Sequence, residues 1–282
     1  MRFAPLFRPV PDRAMRVAGF LSGSGTNLVR ILEHERRLDA SRGCSPYRVV
    51  VIFTDNAASN AGAIGERFDI PVVTNDIMEF YRSRGHADKR DLTLRPAFDE
   101  STIDLLREIP IDVVALAGYM SIVTKPLLER FPGHMINVHP ADLCVRDGNR
   151  RLYTGARAVD VAIAAGERHL RSSVHIVRAA VDYGEVLLRS APIPVHLPAG
   201  ESSADLVRPE RRSDLRRIAD EHQTRLKERG DWEIFPRALE WIADGRYGFD
   251  EMGGLCFDGG SAPSGVLLDE RGEATIASGK DL

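Results

Sequence analysis

Two positions two residues apart, Asn137 and His139 in Met135-Ile136-Asn137-Val138-His139-Pro140, carry side chains suited to acyl-transfer chemistry. The run His134–Val138 reads as a strand, in which side chains alternate faces, so Asn137 and His139 share one face while Ile136 and Val138 take the other. A histidine moves a proton near neutral pH. An asparagine donates to a developing oxyanion without carrying charge. Pro140 ends the strand just beyond them, and a pair of polar residues closing a strand with no further role reads equally well from this segment alone. Asp182, in Ala180-Val181-Asp182-Tyr183-Gly184, falls in a turn between two strand candidates. If it reaches His139 it favours the imidazolium and raises the histidine pKa; a turn aspartate with no partner fits the same place.

A second segment suits an anion. Leu21–Leu28 reads Leu-Ser-Gly-Ser-Gly-Thr-Asn-Leu, a strand end, a glycine loop and a helix start. The backbone amides of Gly25, Thr26 and Asn27 then face out of a helix N-terminus, where free N–H groups and the helix dipole favour negative charge. The loop misses the third glycine of a dinucleotide fingerprint, since Leu28 stands there. It also lacks the lysine of a P-loop. That leaves a single phosphate, or a plain turn capped by Thr26 or Asn27.

The elements that must position these residues alternate. Strand patterns occur at Arg16–Leu21, Arg48–Phe53, Ile70–Val73, Asp112–Ala117, His134–Val138, Ser172–Val177 and Val186–Val195. Helical patterns start at Asn27 and cover Ser59–Phe68, Pro126–Arg130, Ala156–Ala165, Val207–Arg229 and Trp232–Asp244. This rhythm predicts an α/β fold, a Rossmann-like, mostly parallel sheet with helices on both faces. Asn75–Arg95 and Ala141–Tyr153 read as long polar loops. Met1–Arg13 reads as a loose extension without a secretory pattern. The glycine-rich stretch from Phe249 reads as a small hairpin followed by a disordered end. The domain reading is an extension at 1–14, a catalytic domain at 15–246 with C-terminal helices from about 207, and a tail at 247–282.

Composition bounds the function class. In 282 residues, 43% hydrophobic and 28% charged, the chain is ordinary for a globular protein. The formal charge of −3 argues against a broad basic nucleic-acid face but leaves room for one phosphate pocket. Lysine occurs only at Lys89, Lys125, Lys227 and Lys280, so arginine dominates the basic residues. Cys44, Cys144 and Cys256 form no paired motif, so neither a zinc site nor a disulfide framework is signalled, and a reducing, cytoplasmic setting is the expectation. No apolar run reaches membrane-spanning length. His86 and His222 read as solvent-facing, Cys144 as non-catalytic, and Trp232 and Trp241 as helix-packing residues.

Taken together, Ser22-Gly23-Ser24-Gly25-Thr26-Asn27-Leu28, Leu116-Ala117-Gly118-Tyr119-Met120, Ile136-Asn137-Val138-His139-Pro140, Ser173-Val174-His175 and Asp182 resemble the folate-dependent glycinamide ribonucleotide formyltransferases. The likeness runs from about Met15 to about Arg246. The resemblance implies formyl transfer from 10-formyltetrahydrofolate to the amine of a phosphoribosyl glycinamide, a step of purine synthesis, without a metal. It implies that Asn137 donates to the oxyanion, that His139 is the general acid/base and that Asp182 keeps His139 protonated. Gly25, Thr26 and Asn27 would hold the substrate phosphate and Asp231 the ribose hydroxyls. Met120, Ser121, Ile122 and Val123 would line the folate pocket, with Arg95, of Arg95-Pro96-Ala97-Phe98-Asp99, contacting the folate. His175 would line the site or serve its strand.

The sequence departs from that pattern after Pro140. The family usually continues Ser-Leu-Leu-Pro, whereas this chain runs Ala141-Asp142-Leu143-Cys144-Val145-Arg146-Asp147-Gly148-Asn149-Arg150 before the matching Gly155. Tyr183 replaces a small residue, and the loop at 75–95 is enlarged. These departures leave the amine acceptor open, along with the oligomeric state. Methionyl-tRNA formyltransferases fit less well, lacking here their extra barrel and basic surface. Formyltetrahydrofolate hydrolases fit less well, lacking here a regulatory segment and carrying no such glycine loop. Sugar-nucleotide formyltransferases and an inactive folate-binding paralogue stay open.

Overall fold

Short β-branched runs flanked by amphipathic segments give the order of elements, and the computed structural model describes residues 3–277. In chain order these are β1 (Ala4–Pro5), β2 (Met15–Leu21), α1 (Thr26–Arg42), β3 (Tyr47–Thr54), α2 (Ala61–Phe68), β4 (Val72–Thr74), α3 (Ile77–Arg82), α4 (Arg95–Leu106), β5 (Val113–Leu116), α5 (Lys125–Arg130) and β6 (Met135–His139). There follow β7 (Arg146–Asp147), β8 (Arg150–Arg151), α6 (Ala158–Ala164), β9 (His169–Leu170), β10 (Ser173–Ile176), β11 (Val186–Arg189), β12 (Ile193–Pro194), α7 (Ser203–Leu206), α8 (Arg212–Leu226) and α9 (Trp232–Ala243). The chain closes with β13 (Tyr247–Phe249), β14 (Leu255–Phe257), β15 (Gly260–Ser261), β16 (Val266–Leu268) and β17 (Ala274–Ile276).

The central sheet has nine strands in the order β17-β16-β11-β10-β6-β5-β2-β3-β4. The strands from β4 to β6 are parallel, β10 runs antiparallel to both neighbours, and β16 lies parallel to β11. Both faces are covered. Val17, Leu21, Ile52, Ala115, Ile136 and Val174 pack with residues of α1, α2 and α9, including Leu28, Ile64, Phe235 and Leu239. Ala18, Phe20, Phe53, Val114, Leu116 and Met135 pack on the opposite face with Tyr81, Phe98 and Leu127 of α3, α4 and α5. This is the layered α/β arrangement that the alternating pattern predicts. A third cluster joins Ala141 and Tyr153 to α6 and α8. No helix among the described residues is long and apolar enough to cross a membrane.

Several segments differ from the sequence reading. The N-terminal stretch is tied down rather than loose: β1 pairs with β13, the Leu6 carbonyl accepts from His134 Nε2 at 2.8 Å, and Arg13 pairs with Asp112 at 2.8 Å. The stretch after Phe249 is more than a hairpin, since β16 and β17 extend the central sheet; its last residues, 278–282, lie outside the described ones. The polar region 75–95 contains α3 and a single 3₁₀ turn, Leu92–Leu94, fastened where the Tyr81 hydroxyl donates to the Asp91 carbonyl at 2.8 Å. The loop after Ala141 folds into the β7–β8 hairpin. The run Val186–Val195 breaks at Pro192, which has no N–H to give, and β12 leaves the sheet to pair with β9. His222 is fully buried, its Nδ1 donating to Ile218 O at 2.7 Å and its Nε2 accepting from the His196 amide, so it does not face solvent.

Candidate active site

Open parallel sheets bind ligands beyond the carboxyl ends of their strands, and here the ends of β2, β5 and β6 lie side by side, with Phe20 beside Leu116 and Leu116 beside Asn137. From β2 the chain enters the glycine loop. Gly25 caps α1 in left-handed backbone, φ 65°, and a Cβ there would lie 2.5 Å from Ile64 Cδ1, so both torsion and space require glycine. α1 has no acidic residue in its first turn and no side chain bonded at its cap, which leaves its N-terminal amides to a ligand.

Buried polar atoms gather beside that helix start. Thr26 Oγ1, Asn27 Oδ1 and Asp231 Oδ1 lack hydrogen-bond partners among the described residues. Asn27 Nδ2 donates to Asp231 Oδ2 at 3.5 Å. Burial pushes the Asp231 carboxyl up to about 6, although the nearby Ser172 and Asn27 side chains work against it. Asp231 arrives at the end of α8, through a π turn at Lys227–Asp231 that runs into α9. A wider turn of this kind re-aims the side chains it carries. Unpaired buried acceptors cost free energy unless a ligand or water meets them.

The glycine loop is stitched to the segment after β5. Ser22 N donates to Gly118 O at 3.0 Å, and Met120 N donates to Ser22 Oγ at 2.9 Å. Met120 is 74% exposed and Ile122 is 43% exposed, so two apolar side chains stand in solvent at this edge. Val123 is half-buried against the core, and the Ser121 hydroxyl donates to Asp55. Beneath them, Asp99 accepts from Thr124 N at 2.7 Å and from Thr124 Oγ1 at 2.6 Å, while burial drives its carboxyl up to about 6. Arg95 is 3% exposed, bonded through Nη2 to Lys89 O at 3.1 Å, with Nε and Nη1 unpartnered among the described residues. Its guanidinium stands beside the rings of Phe98 and Tyr81.

Asn137, His139 and Asp182 converge. His139 Nδ1 lies 3.6 Å from Asp182 Oδ2. The other carboxylate oxygen, Oδ1, lies 3.6 Å from His175 Nε2. Asn137 Nδ2 donates to His175 Nε2 at 3.4 Å, and His175 Nδ1 donates to the Ile176 carbonyl at 2.9 Å. Antiparallel pairing sets this up: β10 places His175 opposite Asn137 and Ser173 opposite His139, so all four share one face of the sheet. His175 therefore belongs to the site; its strand alternation was legible, but its register against β6 was not.

His139 has an acceptor at each ring nitrogen, Asp182 at Nδ1 and the Tyr153 carbonyl, 3.0 Å away, at Nε2. Burial nevertheless pulls its imidazole below the ordinary value, by more than Asp182 and the Tyr153 carbonyl restore, and nearby His175 and Arg151 add to the fall. Burial thus opposes the protonated ring that Asp182 favours. Asp182 itself, against the effect of burial, is drawn down to about 2 by the neighbouring His175 and His139 rings and by the Gly155 amide, which donates to Oδ2 at 2.8 Å. Together these groups supply a neutral amide donor, a proton acceptor and a fixed anion, the set that acyl transfer to an amine requires.

The comparisons follow this geometry. A family profile described as formyl transferase matches residues 15–209. The chain is 28% identical to the crystal structure of glycinamide ribonucleotide transformylase 1 from Symbiobacterium toebii, over 86% of this chain and 94% of that one, with a TM-score of 0.60. The phosphoribosylglycinamide formyltransferase of Coxiella burnetii, 22% identical, has the same fold at a TM-score of 0.62, over 90% of this chain and 99% of that one. Among curated proteins, the chain is 32% identical over 47% of its length to the trifunctional purine biosynthetic protein adenosine-3 of Bos taurus, spanning 11% of that protein. It is 25% identical over 45% of its length to the phosphoribosylglycinamide formyltransferase of Haemophilus influenzae, spanning 51% of that protein.

Proposed function

Since the chain belongs to the formyl transferase family, we propose that it transfers a formyl group from 10-formyltetrahydrofolate to the amine of glycinamide ribonucleotide, in purine synthesis. The observation that carries this reading is the convergence of Asn137, His139 and Asp182 at the end of one strand, beside a helix start with unpaired amides. The relatives named for this activity favour this acceptor over other amines.

The residues present fit both ligands. The α1 amides of Gly25, Thr26 and Asn27 would take the acceptor phosphate, and Asp231, with an unpaired oxygen, would accept from ribose hydroxyls. Exposed Met120 and Ile122, with Ser121 and Val123, would line the folate, and the unpaired nitrogens of Arg95 would serve its polar part. The folate supplies the formyl carbon. Asn137 Nδ2 turns from His175 to the oxyanion that develops on the formyl oxygen. His139 accepts the proton that the amine loses on bonding the formyl carbon and gives it to the folate nitrogen as the bond between that nitrogen and the formyl carbon breaks, while the Asp182 carboxylate stabilises the imidazolium formed in between. On this reading the partners are small molecules and the setting is the cytoplasm.

Asn137→Ala tests it. Loss of an oxyanion donor lowers kcat by about 10²–10³-fold. The fold should stay intact, because Asn137 is half-buried and its side chain, among the described residues, bonds only His175. Formyl transfer to glycinamide ribonucleotide is assayed beside hydrolysis without acceptor. Near-normal turnover in Asn137→Ala, or hydrolysis with no transfer by the wild type, overturns the assignment.

A further inference from the structure

The turn that carries Asp182 is held from outside by the loop that follows His139. Asp182 lies in left-handed backbone, φ 59°, which residues with a side chain occupy at a cost. Two residues on, Gly184 approaches β10 so closely that a Cβ would lie 1.7 Å from the Ile176 carbonyl oxygen. Such a turn needs support, and Arg151 at the end of β8 gives it. Arg151 is 4% exposed. Its Nη1 donates to the Asp182 carbonyl and its Nη2 to the Gly184 carbonyl at 2.8 Å, so the guanidinium spans the turn. The loop that bears it is itself anchored: Leu143 N donates to Ser173 Oγ at 3.1 Å, Asp142 pairs with buried Arg189 at 3.0 Å, and Cys144 Sγ donates to Ser264 O at 3.6 Å.

We propose that Arg151 is a positioning residue for formyl transfer: its two-pronged grip on the Asp182 and Gly184 carbonyls holds the Asp182 carboxylate against His139 and His175. A planar guanidinium can bridge two carbonyls, whereas an ammonium on a flexible stem engages them one at a time. The kinetic side of this inference rests on the formyl-transfer reading; the geometric side does not.

The test pairs Arg151→Lys and Arg151→Met with Arg150→Met, an exposed neighbour on the same hairpin, as control. The groups facing His139 are Asp182, His175, Arg151 and the Tyr153 carbonyl. Arg151→Lys keeps the positive charge, so a change in the His139 titration followed by NMR reports movement of Asp182. That titration should fall by about 0.3 pH unit or more, in the same direction as Asp182→Asn. Formyl-transfer kcat should fall about fivefold in Arg151→Lys and about tenfold or more in Arg151→Met, with both KM values within about twofold of wild type. Arg151→Met should not slow Asp182→Asn further, because the grip then has nothing left to position. Arg151→Lys carries the test if Arg151→Met fails to fold. A wild-type His139 titration in Arg151→Lys, or an Arg151→Met effect that is undiminished in Asp182→Asn, overturns the proposal. If the wild type transfers no formyl group, the functional reading fails, and the titration still decides the role of Arg151.

Discussion

Replacing Asp182 by Asn removes the charge between His139 and His175 and keeps the shape. The folded structure draws this carboxyl from its ordinary 3.8 to about 2. At about 1.4 kcal/mol per pH unit, that preference stabilises the folded state by about 2 kcal/mol at neutral pH. Because the folded value is depressed, the contribution is complete above pH 4 and is lost as the pH falls through about 2. Asp182→Asn should therefore be less stable than wild type by about 2 kcal/mol at pH 7 and by about 1 kcal/mol at pH 3. Urea unfolding at the two pH values measures this, provided the slopes of the two proteins agree. The same substitution removes the anion that favours the imidazolium, so the acid limb of the transfer rate should move to lower pH while the plateau falls. Equal stability at pH 7, or a gap that widens towards acid, would refute the reasoning.

Three other residues give independent readings. Asp231 titrates near 6, raised by burial, so it is ionised at pH 7.5 and protonates as the pH falls below about 6. The KM for the phosphoribosyl acceptor should rise through that range, and Asp231→Asn should flatten the profile at a uniformly higher KM; a wild-type KM that is flat down to pH 5 speaks against ribose contact by Asp231. Gly184→Ala drives a methyl into the Ile176 carbonyl and should cost about 3 kcal/mol or more or prevent folding. Gly62→Ala meets open space within α2 and should raise stability by about 0.5 kcal/mol; thermal melts that rank the two variants alike would discredit the close approach at Gly184.

What the sequence made legible was local. Strand alternation put Asn137 and His139 on one face, and the order of strands and helices required a covered, mostly parallel sheet. The glycine loop could be placed at a helix start because Gly25, Thr26 and Asn27 are consecutive. The rest depended on pairings between distant residues. His175 faces Asn137 only because β10 runs antiparallel to β6 in one register. β1, two residues long, carries no pattern, and its place is set by β13 almost 250 residues away. α4 was hidden because its buried face mixes apolar Phe98 and Leu106 with Arg95, Asp99 and Thr102, so it shows little apolar periodicity. The downward pull on the His139 pKa was illegible for a related reason: a sequence names the carboxylate partner but not the burial that opposes it.

A stretch that departs from the family pattern is also the one on which the Asp182 carboxylate leans. Between Ala141 and Gly155 the chain supplies the Tyr153 carbonyl to His139, the Gly155 amide to the Asp182 side chain and the Arg151 guanidinium to the Asp182 backbone. Read as sequence, those extra charges suggested a changed acceptor. Read as structure, Arg151 is buried and both of its terminal nitrogens grip the protein's own carbonyls, with Nε unpartnered among the described residues. Arg146 and Arg150 are exposed, and Arg150 already faces Asp147 at 3.6 Å. The altered loop therefore bears first on how Asp182 is held, and a change in rate at constant KM is the signature that separates this from a change in acceptor.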